Sequence, residues 1–377
     1  MLTYIHIPYC DSKCHYCSFN SYVDKFDTRK TYMEALYRQL AFELERFNVT
    51  EGSIETLFIG GGTPSTVSSE LYQPIFGLLS PYLAKDAEIT TEANPNSATE
   101  TWLKGMRSLG VNRISFGVQS FNSQKLKALN RAHTPTQAIN AIHTARDLGF
   151  EHLSLDLIYN YRGDTQTLLA DDIEKAFMLP IDHISAYELT IENGTAFSST
   201  PEVRQENEAL AFFVAEQIRK RGFEHYEISN FGKYQSRHNQ GYWKLKNYIG
   251  AGAGAVGFKS LTSDDFLQSV QSTTLPKNKS SAELTAAVRY YPQTSIEAYI
   301  ANPVNITEER LTEEELLTEK IFLGLRSSIG IAKTSLPPAM TQRALLLVSE
   351  GKLTESPTHF YNNNFFIADS LALYILE

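Results

Sequence analysis

Short apolar stretches alternate with longer segments of helical periodicity through about the first 230 residues. Stretches of strand length lie at residues 2–7, 54–59, 87–92, 111–118, 152–159 and 183–189. Between them, apolar residues recur at the three- and four-residue spacing of amphipathic helices. These helices are expected at residues 29–47, 99–109, 134–148, 165–178 and 202–221. Such alternation predicts an α/β fold, a parallel sheet with helices outside.

Polar residues or glycines stand at the ends of these six strands. Cysteines follow the first strand, glycines follow the second, and the next four carry Glu92, Gln119, Asp156 and Glu188 in turn. Because the loops after the strands of a β/α barrel share one rim, we expect these groups to face the same side of the sheet. A doubly wound open sheet is the alternative arrangement of the same units.

The pattern changes beyond residue 230. Residues 231–260 include an alternating run of glycine and alanine, and the polar stretch at 260–287 is expected to be a surface insertion. Two helices are predicted at 312–327 and 335–350, then a hairpin at 352–368 that turns near residues 361–364. We therefore predict a barrel at 1–230, an extension at 231–305, and a small C-terminal α+β domain of winged-helix type at 306–377.

Composition restricts the partners more than the fold. The 377 residues are 42% hydrophobic, which is enough for a large core. The net charge is −9 without a block of Lys and Arg, so nucleic acid is not an expected partner. No apolar run reaches the roughly 18 residues of a membrane span, and no basic, apolar leader opens the chain. We expect a cytoplasmic protein that can contact membrane proteins peripherally.

All three cysteines lie in the loop after the first predicted strand. Cys10, Cys14 and Cys17 have the spacing Cys-x3-Cys-x2-Cys, and thiolates are ligands of iron–sulfur clusters and of zinc. Three thiolates leave a four-iron cluster with one open position. Zinc would need a fourth ligand, such as His6 or His15. A chance group of buried cysteines is the third alternative.

This spacing resembles the signature of the radical S-adenosylmethionine enzymes. The preceding residues, Tyr4-Ile-His-Ile-Pro, narrow the resemblance to the oxygen-independent coproporphyrinogen III oxidase family over nearly the whole chain. The resemblance implies a [4Fe-4S] cluster on Cys10, Cys14 and Cys17, with S-adenosylmethionine on the open iron. An electron from the cluster would cleave it to a 5′-deoxyadenosyl radical. The implied fold is an open partial TIM-like barrel of six βα units.

The same resemblance assigns contacts with S-adenosylmethionine along the predicted rim. Gly61, Gly62 and Thr63 would bind its methionine end, because a backbone without Cβ atoms can approach a ligand closely. Glu92 would accept its ammonium group, although a solvated carboxylate is the plain alternative.

Further contacts follow from the resemblance. Arg131 would face a carboxylate, and Asp156, in an otherwise apolar strand, would bind ribose hydroxyls because a buried carboxylate needs a partner. The remaining implied contacts are Tyr4 and Tyr16 beside the cluster, Gln119, Glu188, and Val256 against adenine. For the aromatic and aliphatic side chains in this set, simple packing in the core is an equal alternative.

The loop after the fifth strand departs from the family pattern. Residues 160–163 read Asn-Tyr-Arg-Gly, where the family usually has Gly-Leu-Pro-Gly. Asn can replace Gly at a positive φ, but the turn loses its proline.

Two branches of the family remain, and a second motif favours one of them. His238-Asn-x-x-Tyr242-Trp243 resembles the motif of the haem-chaperone branch, which implies that His238 ligates haem through its imidazole. The oxidase branch has an N-terminal extension and another Cys, whereas here Cys10 follows Met1 by nine residues and Phe19 takes the place of that Cys.

The haem-chaperone resemblance implies a haem-binding protein that delivers haem to haemoproteins, membrane-bound ones included. A homodimer is compatible with it. The alternative is an oxidase that decarboxylates the propionates of coproporphyrinogen III to give protoporphyrinogen IX. A zinc-stabilised structural protein is a third class.

Overall fold

One twelve-stranded sheet organises the computed structural model, which describes residues 1–261 and 285–377. Its six central strands are parallel and adjacent in chain order, so the predicted βα arrangement is confirmed. The polar insertion predicted at 260–287 lies almost wholly outside the described residues. The central strands are β1 (Leu2–Ile7), β2 (Ile54–Gly61), β3 (Leu83–Ala93), β4 (Arg113–Gln119), β5 (His152–Tyr159) and β6 (His183–Glu188).

Helices connect these strands and bury one face each against the sheet, which forms the main hydrophobic core. Thr99, Thr134 and Thr165 cap three of them by accepting backbone N–H bonds, each worth about 1 kcal/mol. The helices are α1 (Arg29–Arg46), α2 (Gln73–Leu79), α3 (Glu100–Ser108), α4 (Ser123–Ala128), α5 (Pro135–Asp147), α6 (Gln166–Phe177) and α7 (Glu208–Lys220).

The chain then completes both edges of the sheet. β7 (Glu224–His225) and β8 (Asn230–Gly232) lie antiparallel beyond β6, and α8 (Arg237–Trp243) follows. β9 (Tyr248–Ala251) crosses to the other side and pairs parallel with β1. Antiparallel strands extend that side, with α9 packed on α1. They are β10 (Gly257–Ser260), β11 (Thr285–Pro292) and β12 (Ile306–Thr312), and α9 is Ile296–Ala301.

The sheet is open, because β12 and β7 occupy its two ends. The extension predicted at 231–305 shares this sheet with the barrel. β12 also belongs to it, although the predicted boundary at residue 306 assigns that segment to the C-terminal domain. The three-way division of the chain stays a prediction.

The C-terminal residues form a small α+β unit with its own core, which includes Ile321, Leu347 and Phe360. Its three-stranded sheet has the order β13-β15-β14. Main-chain bonds join it to the large sheet, from Ile228 N to Arg326 O at 2.9 Å among others. The elements are α10 (Glu313–Leu325), β13 (Ile331–Ala332), α11 (Pro338–Ser349), β14 (Leu353–Glu355), β15 (His359–Asn362) and α12 (Ala368–Leu376).

The predicted hairpin exists, but its turn was placed wrongly. The turn lies at residues 356–358, and the asparagine run ends β15 instead. Asn362 is buried and donates Nδ2 to Leu325 O at 2.8 Å, so this asparagine joins the hairpin to α10. Across both described ranges, no helix has the length and apolar character to cross a membrane.

Candidate functional site

The three cysteines lie in a loop that runs from the end of β1 to the start of α1. Main-chain bonds fix its shape, from Cys10 N to Tyr22 O at 3.0 Å, from Tyr22 N to Pro8 O at 2.8 Å and from Cys17 N to Cys14 O at 3.2 Å. Cys10 is buried, the other two are half-buried, and all three are free thiols. The backbone therefore presents three sulfurs at the rim where the parallel strands end.

The glycine loop after β2 packs directly on the cysteine loop. Gly62 N donates to Ile7 O at 2.8 Å, and Thr63 N donates to Tyr9 O at 2.6 Å. A Cβ at Gly62 would lie 2.7 Å from Ile7 O, and one at Gly61, where φ is +106°, would lie 2.4 Å from the His6 ring. Close packing between the two loops therefore requires glycine here. The contact of this loop with S-adenosylmethionine stays a prediction.

A short hydrogen-bond chain joins two of the sulfurs through residues of the three loops that follow β2, β3 and α4. Thr63 Oγ1 donates to Cys10 Sγ at 3.3 Å, and Arg131 Nη1 donates to Cys14 Sγ at 3.1 Å. Asn94 links them, because its Nδ2 donates to Thr63 Oγ1 at 3.1 Å and its Oδ1 accepts from Arg131 Nη2 at 2.6 Å. Sequence reasoning missed Asn94. Its position two residues after Glu92, at a strand end, was the available signal.

The donor set fits an iron–sulfur cluster. Buried thiolates that accept N–H and O–H bonds are typical cluster ligands, and such bonds tune their potential. Burial raises the pKa of Cys10 and of Cys17. A hydrogen bond from Thr63 opposes this rise at Cys10, and a backbone hydrogen bond from Phe19 and the charge of Lys13 oppose it at Cys17. Arg131 places a buried positive charge beside the thiols, and its Nε has no hydrogen-bond partner within residues 1–261 and 285–377.

A single zinc ion fits less well. Among the described residues, no three His, Cys, Asp or Glu side chains converge as ligands of one metal ion. Each cysteine of a cluster binds a different iron, so the sulfurs need not meet at one point. His6 is already hydrogen-bonded through both ring nitrogens, to Tyr4 OH at 3.0 Å and to Asn20 O at 2.8 Å. His15 Nδ1 is bonded to Ala128 O at 3.0 Å.

Glu92 ends β3 beside the glycine loop. Its Oε2 accepts from Gly61 N at 3.1 Å. Burial and the negative charge of Asp156 raise the pKa of Glu92 to about 8. In the ligand-free protein this carboxyl is therefore largely protonated at neutral pH, and a nearby cation would favour its ionised form.

Asp156 and Gln119 lie on neighbouring strands inside the barrel. Ser115 Oγ donates to Asp156 Oδ1 at 3.2 Å, and burial raises the pKa of Asp156 to about 6. Gln119 ends β4 with a φ of +69°, beside an irregularity in the pairing with β5. A positive φ is uncommon for a residue other than glycine and marks a constrained position at this rim.

The other rim predictions have different surroundings. Glu188 accepts from Arg204 Nη2 at 3.0 Å and from Asn160 Nδ2 at 3.2 Å. Its carboxylate therefore already has a charged partner within the protein. Asn160 adopts a φ of +64°, as expected for an asparagine in place of glycine. Tyr16 packs in a small apolar cluster with Phe197.

Tyr4 and Val256 complete the predicted set. Tyr4 lies on β1, and burial together with the charge of Glu92 raises its pKa. Val256 is half-buried just before β10. A Cβ at Gly250 would lie 1.8 Å from Val256 O, so the backbones of β9 and this turn are in close contact.

His238 lies away from the cysteines, near the starts of the strands. Leu2, Thr56 and Glu88 form one row across β1, β2 and β3, and α8 packs on this row. The Glu88 carboxylate accepts from the backbone N of His238 at 3.0 Å. The imidazole is 1% exposed and stacks on Phe58 at 5.1 Å.

Both ring nitrogens of His238 are engaged. Nδ1 is hydrogen-bonded to Thr56 Oγ1 at 2.7 Å and Nε2 to Tyr242 OH at 2.9 Å. Burial lowers its pKa to about 3. An iron could bind only after one of these bonds was broken, so the predicted haem contact has no free nitrogen in this conformation.

Comparisons with known proteins agree with this arrangement. Residues 4–176 match the Radical SAM superfamily. The chain is 31% identical over 343 residues to a protein named Heme chaperone HemW from Lactococcus lactis, covering 87% of this chain and 82% of that protein. It is 39% identical over 263 residues to Heme chaperone HemW from Escherichia coli, covering 67% and 69%.

Among solved structures, the fold resembles coproporphyrinogen III oxidase, HemN, from Escherichia coli. The TM-score is 0.77 and the sequence identity is 16%, over 99% of this chain and 89% of that one. Identity at this level establishes the shared fold alone.

Proposed function

The chain belongs to the HemW family of radical S-adenosylmethionine proteins, and from this premise we propose that it is a haem chaperone, which binds haem and delivers it to haemoproteins. The observation that carries the proposal is the 31% identity over 87% of the chain to a protein bearing that name. The oxidase alternative rests on a fold likeness at 16% identity. The chaperone is therefore the function that we favour.

Membership of this family implies a [4Fe-4S] cluster and S-adenosylmethionine. We propose that Cys10, Cys14 and Cys17 hold the cluster, which when bound supplies one electron to S-adenosylmethionine. Thr63 and Arg131 support this assignment because each donates a hydrogen bond to one of the sulfurs.

The chain's own residues would bind and orient S-adenosylmethionine around this loop. Glu92, ionised by the approach of a cation, would accept the ammonium group. Asp156, which is half-buried on β5, would accept hydrogen bonds from ribose hydroxyls. Arg131 would face the carboxylate. The other proposed contacts are Tyr4, Tyr16, Gly61, Gly62, Thr63, Gln119, Glu188 and Val256.

The proposed partners are haem and the haemoproteins that receive it, membrane-bound ones included. We propose that these recipients are met in the cytoplasm or at the inner face of the membrane, and that the chaperone can act as a homodimer. The binding or cleavage of S-adenosylmethionine would regulate the release of haem.

Anaerobic reconstitution followed by haem transfer tests the function. Protein loaded with iron, sulfide and haem is mixed with an apo-haemoprotein, and transfer is followed by absorption spectra with and without S-adenosylmethionine. The expected result is haem transfer to the acceptor faster than from free haem. The control arm supplies coproporphyrinogen III. If the protein formed vinyl products over many turnovers and transferred no haem, the function would be that of the oxidase and not that of a chaperone.

A further inference from the structure

The middle of the cysteine loop lies against the C-terminal end of α4. His15 N donates to Leu129 O at 3.3 Å, and His15 Nδ1 is bonded to Ala128 O at 3.0 Å. Leu129 N in turn donates to Lys125 O at 2.9 Å, so the accepting carbonyls are tied to the last turn of the helix. The position of this part of the loop therefore depends on the position of α4.

The two residues that follow Leu129 add side-chain contacts to the same loop. Asn130 adopts a φ of +57°, a left-handed conformation that ends the helix, and its Nδ2 donates to Lys13 O at 2.8 Å. Arg131 comes next, and its Nη1 donates to Cys14 Sγ at 3.1 Å. Residues 128–131 thus hold residues 13–15 through both main-chain and side-chain bonds.

A buried ion pair anchors α4 itself. The helix has six residues, and a helix shorter than about 12 residues is not stable without tertiary contacts. Lys125 is 2% exposed, and its Nζ lies 2.7 Å from Asp164 Oδ1 and donates to Ile158 O at 2.6 Å. Asp164 is buried as well, and its Oδ2 accepts from Tyr161 N at 3.0 Å. Because a buried charge without a partner is costly, this pair keeps α4 against the end of β5 and the turn that follows it.

A second buried carboxylate holds the approach to α4. Asp172 on α6 accepts from Phe121 N at 2.6 Å and from Ser120 Oγ at 2.7 Å. Both donors precede the helix, whereas Lys125 lies about one helical turn before Leu129. The ion pair of Lys125 is therefore closer in the chain to the carbonyls that hold the cysteine loop.

We propose that Lys125 is a positioning residue of the cysteine loop. Its ion pair with Asp164 fixes α4, and the end of α4 then holds Cys14 and aims Arg131 at the sulfur. Within residues 1–261 and 285–377 neither member of the pair is hydrogen-bonded to a cysteine, so both act through the helix. The effect on a cluster rests on the proposed cluster site, whereas the effect on the loop is a property of the metal-free protein.

Amide hydrogen exchange in the metal-free, full-length protein tests the positioning directly. Lys125→Met keeps the apolar stem of the side chain and removes the ammonium group. We expect the amide of His15 to exchange several-fold faster in this variant. The amide of Cys10 should exchange as in the wild type, because it donates to Tyr22 O at 3.0 Å, on the other side of the loop from α4.

Lys175→Met is the matched control. Lys175 forms an ion pair with Asp171 at the same distance of 2.7 Å, but this pair is exposed on α6, so the control should change neither amide. Asp164→Asn keeps an acceptor for the turn and removes only the charge. It should accelerate the exchange of His15 in the same way, by a smaller factor.

Circular dichroism verifies that each variant is folded, and Asp164→Asn decides the question if Lys125→Met does not fold. Faster exchange at His15 alone supports the proposal. Unchanged exchange at His15 in a folded variant would overturn it. Equal acceleration at His15 and Cys10 would also overturn it, since this result would show general loosening of the loop.

The reduction potential of the reconstituted cluster gives a second readout. Lys125→Met should lower the potential, because Arg131 moves away from Cys14 and the reduced state loses a hydrogen bond. Added to Arg131→Gln, Lys125→Met should cause no further shift. Additive shifts would show that Lys125 acts independently of Arg131 and would overturn the proposal. If the reconstituted wild type held no iron, the proposed cluster would fail, while the exchange of His15 would still decide the role of Lys125.

Discussion

Arg131 donates a hydrogen bond from Nη1 to the sulfur of Cys14 at 3.1 Å, across 117 positions of sequence. The guanidinium is buried, and its other amino group is held by Asn94. A fixed cation with an N–H aimed at a ligand sulfur stabilises the more negative, reduced state of a cluster.

Replacement of Arg131 by glutamine should therefore lower the reduction potential of the reconstituted cluster. A hydrogen bond to a charged group is worth about 1.5–3 kcal/mol, so the shift should be on the order of 65–130 mV for one electron. Arg131→Lys, which keeps the charge without the fork geometry, should shift it less. A redox titration monitored by electron paramagnetic resonance measures this, with exposed Arg162→Gln as control. Equal potentials in all four proteins would contradict the prediction.

Asn94→Ala should make the cluster more sensitive to oxygen. The substitution removes the amide that holds both Thr63 and Arg131, so two sulfur contacts lose their support at once. We expect the visible absorption of the cluster to bleach several-fold faster in air, with a loss of about 1–2 kcal/mol of folding stability. Asn96→Ala is the control, because Asn96 lies in the same loop as Asn94 and donates to Asp11, but it holds neither Thr63 nor Arg131. Indistinguishable bleaching rates would rule out a positioning role for Asn94.

Glu92 should make the stability of the ligand-free protein depend on pH. Its pKa is raised from 4.5 to about 8 in the folded state, so folding favours the protonated form. Its stabilising contribution is complete below pH 4.5 and is lost as pH rises through 8. Glu92→Gln keeps an acceptor for Gly61 N and abolishes this loss. Urea unfolding should show the variant more stable than the wild type by about 2–4 kcal/mol at pH 9, with little difference at pH 5. A pH-independent difference would contradict the assignment.

His238→Ala should reduce the free energy of unfolding by more than it reduces the free energy of haem binding. The substitution leaves a cavity in the interior and removes the partners of Thr56 and Tyr242. We expect a loss of about 2–4 kcal/mol in the free energy of unfolding, against about 0.5 kcal/mol or less for exposed His143→Ala. Tyr242→Phe, which removes one hydrogen bond, should cost about 1 kcal/mol. Chemical unfolding of the three variants measures these values. A stable His238→Ala protein without haem affinity would restore His238 as the ligand.

The positions of the central strands could be predicted from the sequence, whereas the short strands at the edges of the sheet could not. β1 and β5 have the predicted bounds because an apolar run ends sharply at both sides. β3 begins four residues earlier than predicted, because the exposed Lys85 and Asp86 separate its first two residues from the buried apolar run that defined the prediction. β7 and β9 are too short for any periodicity. Pairing with the distant strand β1 defines β9, and a short antiparallel pairing with β8 defines β7.

The candidate site shows the same division. The spacing of the cysteines, the strand-end position of Glu92 and the polar Asp156 within an otherwise apolar strand were visible as local patterns. The environment of each group was not, because it depends on residues far apart in sequence. Lys125 and Asp164 form a fully buried ion pair at 2.7 Å, yet nothing in the sequence distinguishes them from surface charges. The motif around His238 was recognised, but its enclosure by β2 and β3 was not.

The backbone bonds that hold the cysteine loop to Pro8, Tyr22 and the glycine loop involve no sulfur atom. Their integrity is therefore independent of whether iron is present. A molecule stripped of its metal by oxygen should keep its shape and escape proteolysis, and fresh iron and sulfide should then suffice to repair it without renewed synthesis of the polypeptide.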